Sequence, residues 1–110
     1  MDAQRSLFDL PPPPRPEDLG PDATHEERAW AFRHAEPAVF GEFARRARRA
    51  AEAGLEHYSH RAIWEAMRYH YDFEHVDPGP KLNNNHLPFF ARWAMDERHV
   101  PPGFFHTRAR

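Results

Sequence analysis

The chain is rich in side chains that can ligate a metal ion or exchange a proton. It has nine histidines and no cysteine among its 110 residues, so any metal ligands would be imidazoles and carboxylates. The closest histidine pairs, His57 with His60 and His70 with His75, do not have the convergent helical spacing of a zinc motif. The sequence therefore predicts no metal site and no bound cofactor.

The sequence also gives little support for catalytic activity. Asp72, Glu74 and Lys81 are the residue types of a carboxylate–carboxylate–lysine nuclease, but Pro78-Gly79-Pro80 interrupts them. The chain has no glycine-rich phosphate loop and no nucleophile elbow. We therefore predict a non-enzymatic protein and do not expect a small-molecule ligand.

One candidate nucleic-acid-binding group lies on the second predicted helix. Arg45, Arg48 and Arg49 share the side of that helix that faces away from its apolar stripe. Arginine forks match the oxygens of phosphate groups. The same residues, with Glu42 and Glu52 at helical spacing, would also form an ordinary solvated helix face.

A second candidate group precedes and begins the fourth predicted helix, and consists of Lys81, Asn83, Asn84, Asn85 and Arg92. Asparagine can pair bidentately with adenine in the major groove, and helix N-termini attract phosphates. Asparagine is also a frequent turn and cap residue. The group therefore predicts either a contact with duplex DNA or simply the start of a helix.

Charge and hydropathy limit the classes of protein to which the chain can belong. The net charge is −2, which is not the strongly basic balance of a non-specific nucleic-acid coat. No apolar run approaches the roughly 20 residues that span a membrane, and the N-terminus lacks the pattern of a signal peptide. We expect a cytoplasmic protein without a membrane partner.

The first residues carry the most specific signal. Gln4, Ser6, Leu7 and Phe8 match the peptide by which bacterial replication and repair proteins bind the sliding clamp, and Arg5 departs from it. That peptide begins with Gln, often has Ser or Asp at its third position and ends in Leu-Phe. The resemblance implies that a sliding clamp, or another DNA-associated protein, is a partner.

Prolines separate this peptide from the rest of the chain. Six of the twelve prolines lie within residues 11–21, and a proline run favours an extended tether. We therefore predict a disordered, Pro-rich tail over residues 1–23, containing the docking peptide, and a helical domain over residues 24–110.

Helix signals divide that domain. Thr24 begins a capping box, Pro37 suits a first helical turn, Gly54 suits a helix end and Ser59 suits a cap. The predicted helices are His25–Ala35, Pro37–Ala53, His60–Tyr71 and His86–Arg98. Two short segments, 55–58 and 104–108, are expected to be extended.

The order of helices and short strands over residues 37–110 resembles a winged-helix domain. The resemblance implies a mainly α fold with a small β component, in which the fourth helix reads DNA. Residues 81–85, together with Phe89-Phe90-Ala91-Arg92, are also similar to small uncharacterised bacterial and phage proteins.

These features lead to one preferred function and two alternatives. The preferred function is a non-enzymatic adaptor or regulator that docks on a sliding clamp through its tail and contacts DNA through its winged-helix-like body. In the first alternative, the body is a transcription-type regulator and the tail is incidental. In the second, the chain is a phage-type inhibitor that binds a host enzyme without binding DNA.

Overall fold

The computed structural model describes residues 13–75 and 79–107. Within these ranges the chain forms four α-helices: α1 (His25–Ala35), α2 (Pro37–Glu52), α3 (His60–Tyr69) and α4 (Leu87–Asp96). A π-helical turn, His70–Glu74, continues α3, and 3-10 turns at Pro16–Asp18 and Asn84–His86 precede α1 and α4. No helix in the described ranges has the length and apolar character needed to cross a membrane.

The predicted starts of α1, α2 and α3 are confirmed, and α4 begins one residue later than predicted, at Leu87. The Thr24 hydroxyl accepts a hydrogen bond from the Glu27 amide at 3.0 Å, and the Glu27 carboxylate accepts one from the Thr24 amide at 2.8 Å. Pro37 occupies the first turn of α2, and the Ser59 hydroxyl accepts from the Ala62 amide at 3.1 Å. Thr24 and Ser59 accept hydrogen bonds from amides that the first helical turn would leave without a partner, and Pro37 has no amide hydrogen to be bonded.

One aromatic cluster lies at the centre of the helices. Phe43 from α2, Trp64 from α3 and Phe90 from α4 are each fully buried. Their ring centroids are 5.2–6.1 Å apart and the rings meet edge to face, an arrangement that the quadrupoles of aromatic rings favour. Phe104 and Phe105 cover one side of this cluster.

A second set of contacts joins α1 to the end of α4. The Arg33 guanidinium donates two hydrogen bonds to the Glu97 carboxylate, at 2.6 and 2.8 Å. The same guanidinium lies 3.8 Å from the centroid of the Phe40 ring. The paired hydrogen bonds join α1 to the end of a helix that is distant in sequence, and the ring contact joins the same arginine to α2.

The prediction of a β component, and with it the winged-helix class, is wrong for the described residues, which contain no strand. Segments 55–58 and 104–107 do lie side by side, but one backbone hydrogen bond joins them, from the Tyr58 amide to the Phe104 carbonyl at 3.3 Å. Phe104 and Phe105 are both buried, whereas successive side chains of a strand point to opposite faces. The segment is therefore irregular because the core takes two consecutive rings.

Candidate functional site

The candidate docking peptide lies outside the described residues. Gln4, Ser6, Leu7 and Phe8 therefore stay a prediction. The described chain begins at Pro13, which lies with its neighbours beside the C-terminal end of α1.

The arginines of α2 are largely engaged within their own helix. Arg45 donates two hydrogen bonds to the Glu42 carboxylate, at 2.6 and 3.1 Å, and Arg46 donates a third at 2.5 Å. The hydrogen bonds from Arg45 lower the pKa of Glu42, partial burial opposes this effect, and the hydrogen bond from Arg46 adds to it. Arg45 and Arg46 thus share one carboxylate, which offsets one of their two positive charges.

Arg48 and Arg49 differ from each other. Arg48 is half-buried and donates to the Nδ1 atom of His99 at 2.8 Å. Arg49 is exposed, and no hydrogen bond or ion pair engages it within the described part of the chain. Of the three α2 arginines predicted to bind nucleic acid, Arg45 is the one paired with a carboxylate, whereas Arg48 bonds an imidazole and Arg49 has no bonded partner among the residues that the structure describes.

The asparagine group acts mainly on its own backbone and on α3. The Asn83 side chain accepts from the Asn85 amide at 2.8 Å and so begins the 3-10 turn. The Asn84 side chain accepts from Arg68 at 2.7 Å, and Arg68 also donates to the Leu82 carbonyl at 3.0 Å. This arrangement fits the cap interpretation of the asparagines better than a DNA contact.

The remaining predicted residues of this group differ in exposure, because Arg92 is half-buried whereas Lys81 and Asn85 are as exposed as Asn83 and Asn84. Lys81 and Asn85 are exposed, and the Arg92 guanidinium lies 4.9 Å from the centroid of the Phe89 ring. The side chains of Asn83 and Asn84 bond to their own backbone and to Arg68 of α3, whereas Arg45 and Arg48 bond to Glu42 and His99. The two candidate groups therefore do not form a single continuous network.

The histidines do not assemble a metal centre in the described residues, where no group of three potential ligands converges. His57 donates from Nδ1 to the Gly103 carbonyl at 3.1 Å, and its ring lies 4.5 Å from that of His106. These contacts fasten the segment after α4 to the segment before α3.

A feature missed from the sequence lies on the solvent side of α3. Ala62, Ala66, Tyr69 and Phe73 are all exposed and follow one another at spacings of four, three and four residues, which places them on one side of the helix. We call these four residues the outer face of α3. Tyr69 is 59% exposed, Phe73 is 74% exposed, and their ring centroids are 5.1 Å apart.

A groove between α2 and α3 includes Ala62 and Ala66, the N-terminal half of the outer face, in its lining. It has a volume of about 290 Å³. Ala50, Ala53 and Ile63 belong to its apolar lining, Leu55 and Tyr58 stand at one end, and Arg46 and Arg49 are its charged residues. Leu55 is 45% exposed and Tyr58 is 43% exposed. A contiguous exposed apolar surface of this kind is typical of a protein-interaction site.

Comparisons with known proteins add no relative. The chain matches no protein-family model, and no curated protein or solved structure is significantly similar to it. The resemblances of residues 4–8 and of residues 81–92 therefore have no further support, and inferences about function depend on the chemistry of the residues themselves.

Proposed function

We propose that this protein is a non-enzymatic adaptor that docks on a bacterial sliding clamp, or on another DNA-associated protein with the same kind of pocket. Gln4, Ser6, Leu7 and Phe8 are the proposed docking residues. The observation that carries the proposal is their order and spacing, followed within three residues by the proline run 11–14.

The chemistry of the peptide suits a pocket on another protein. Burial of Leu7 and Phe8 would each contribute about 1.5–3 kcal/mol to binding. The amide side chain of Gln4 can both donate and accept hydrogen bonds, which would set the register of the peptide. A polyproline segment, which rises roughly 3.1 Å per residue, would hold the helical body away from the pocket.

The surface of the body supports a protein partner over a direct DNA contact. Arg45 is bonded to Glu42, and Arg48 to His99. The asparagine side chains at 83 and 84 are occupied by a cap and by Arg68. A net charge of −2 adds no general attraction to phosphate.

The direct test is calorimetric titration of the full chain into a purified bacterial clamp. We expect binding that weakens by at least about 100-fold when Leu7 and Phe8 are both replaced by alanine, since two buried side chains are lost. Leu10→Ala is the matched control, because it removes an apolar side chain from the same tail outside the pattern. An intact chain that gives no binding heat and no competition with a known clamp peptide would refute the proposal.

A second candidate is a protein-interaction inhibitor of a host enzyme without DNA binding. The exposed outer face of α3 favours it, because such an inhibitor would bind through its body. The two candidates predict opposite effects of two variants. Phe73→Glu would abolish binding to a host enzyme and leave clamp docking intact. Replacement of Leu7 and Phe8 by alanine would abolish clamp docking and leave binding to a host enzyme intact.

A further inference from the structure

The outer face of α3 and the two exposed apolar residues before the helix form a nearly palindromic series. The series is Leu55, Tyr58, Ala62, Ala66, Tyr69 and Phe73. Read from either end, it gives a large apolar side chain, a tyrosine and then an alanine. Each of the three matching pairs is centred at or next to position 64.

The two halves of this series differ in shape in a complementary way. At the C-terminal end, the rings of Tyr69 and Phe73 stand side by side and project into solvent. At the N-terminal end, the surface is recessed as the groove between α2 and α3. An antiparallel second copy would bring the rings of each chain to the groove of the other.

We propose that two copies of this chain associate through the outer faces of their α3 helices, antiparallel and related by a two-fold axis near position 64. Tyr69 and Phe73 of each copy fill the α2–α3 groove of the other. Such an interface uses the same patch on both subunits, as closed two-fold dimers do. This inference goes beyond the proposed function and does not depend on it.

Small side chains at the centre of the series would let the α3 helices of two copies cross closely. The distance between two packed helices depends on the side chains at their contact. Ala62 of one copy would meet Ala66 of the other, so that small side chains lie where the axes are closest. The aromatic residues, which are enriched among the residues that contribute most to interfaces, lie on either side of the crossing.

Charges at the borders of the face are also self-complementary. Arg61 and Glu65 lie on the border away from α2, with side chains that are 61% and 48% exposed; they form an ion pair 3.8 Å long within the chain, and Glu65 also accepts a hydrogen bond from Arg68. A two-fold antiparallel arrangement brings each border against the same border of the other copy, so Arg61 would face Glu65 of the second copy. On the border next to α2, Arg49 would approach Glu74 of the second copy, which is exposed and lies 3.3 Å from Nδ1 of its own His70.

Sedimentation equilibrium of the full chain, from micromolar to millimolar concentration, tests the association. We expect a monomer–dimer equilibrium. Ala66→Glu, which places a longer and charged side chain at the crossing, should weaken association by at least about 100-fold, because it would hold the two helices apart where their axes are closest. Ala38→Glu is the matched control on an exposed position of α2 and should dimerise as the parent chain does.

A charge exchange tests the antiparallel geometry. Arg49→Glu and Glu74→Arg should each associate roughly tenfold more weakly alone, because like charges then meet across the interface. An equimolar mixture of the two variants should recover the parent affinity, since every contact between positions 49 and 74 is again between opposite charges. A mixture no stronger than its components would overturn the antiparallel arrangement.

A parent chain that sediments as a monomer at every concentration would overturn the proposal as a whole. The outer face would then be left for a different protein. Clamp binding is measured through Leu7 and Phe8, in the tail, so failure of the dimer and failure of clamp docking are separate results.

Discussion

The two sides of α3 are both apolar, yet the fold covers only one of them. The inner side carries Ile63, Trp64, Met67 and Tyr71, all buried in the core. The outer face carries Ala62, Ala66, Tyr69 and Phe73, all exposed. Apolar residues at helical spacing identify a surface that must be shielded from water, but the spacing does not say whether the same chain or another one shields it.

The difference between the sides follows from the neighbours of each. The Trp64 ring lies between Phe43 and Phe90, with centroids 6.1 and 5.2 Å away. Around Tyr69 and Phe73, the structure shows one ring contact, between the two residues themselves. Substitutions on the inner side should therefore change folding, and substitutions on the outer face should change association.

The largest expected effect is on the inner side. Trp64→Ala should lower the free energy of unfolding by about 3–5 kcal/mol, because a fully buried ring is removed. Phe73→Ala, measured at a concentration that favours the monomer, should change it by less than about 0.5 kcal/mol. Urea unfolding followed by circular dichroism gives both values, and equal losses would contradict the distinction between the two sides.

The next effect concerns the packing of the inner side at Tyr71. A Cβ atom added at Gly79 would lie 2.7 Å from Cδ1 of Tyr71 and 2.8 Å from its Cβ. Gly79→Ala should therefore cost about 1–3 kcal/mol through overpacking. Gly41→Ala is the control, because nothing lies within 4 Å of the added atom and alanine favours the helix by roughly 0.5–1 kcal/mol. Melting temperatures that rise for both variants would argue against this packing.

A smaller effect is expected where the two sides of α3 meet. Arg68→Ala removes hydrogen bonds to the Leu82 carbonyl and the Asn84 side chain, at a cost of roughly 1–2 kcal/mol. Arg61→Ala, which removes an exposed ion pair 3.8 Å long, should cost less than about 0.5 kcal/mol. Chemical denaturation of both variants checks the difference, and a larger loss for Arg61 would show that Arg68 does not anchor the segment before α4.

The smallest effect is a dependence of stability on pH. Burial, and to a lesser degree the charge of His25, lower the pKa of His86 below its ordinary 6.5. Because the unfolded chain then binds a proton more readily than the folded one, this contribution to stability is complete above pH 6.5 and declines as the pH falls toward the lowered value. Unfolding of His86→Leu across this range should show a shallower decline, and an unchanged slope would contradict the role of His86.

The sequence was sufficient for the helices and for most of the core. Thr24, Pro37 and Ser59 act through their nearest neighbours, so local chemistry determines where α1, α2 and α3 begin. The wrong prediction of short strands arose at 55–58, where all four residues are exposed, and at 104–108, where Phe104 and Phe105 bury consecutive rings instead of pairing. Local preference there is overridden by packing against the helices.

The site was harder to predict because it depends on distant partners. Nothing near Asn84 indicates that Arg68, sixteen residues earlier, will bind its side chain. The helical spacing of the outer face could be read from the sequence. It was missed because a surface helix needs one buried apolar face, and Ile63, Met67 and Tyr71 already supplied that face. A helix with two apolar sides, one of them without a partner in its own chain, is the pattern to look for.

The most direct test of the difference between the two sides is hydroxyl-radical footprinting of the full chain at low and high concentration. Trp64 and Met67 should be protected at both concentrations, because the fold itself covers them. Tyr69 and Phe73 should react readily in the dilute sample and become protected in the concentrated one, while Tyr69 and Phe73 of Ala66→Glu stay reactive. Equal reactivity of Tyr69 and Phe73 at both concentrations would contradict the proposal that a second copy covers the outer face of α3.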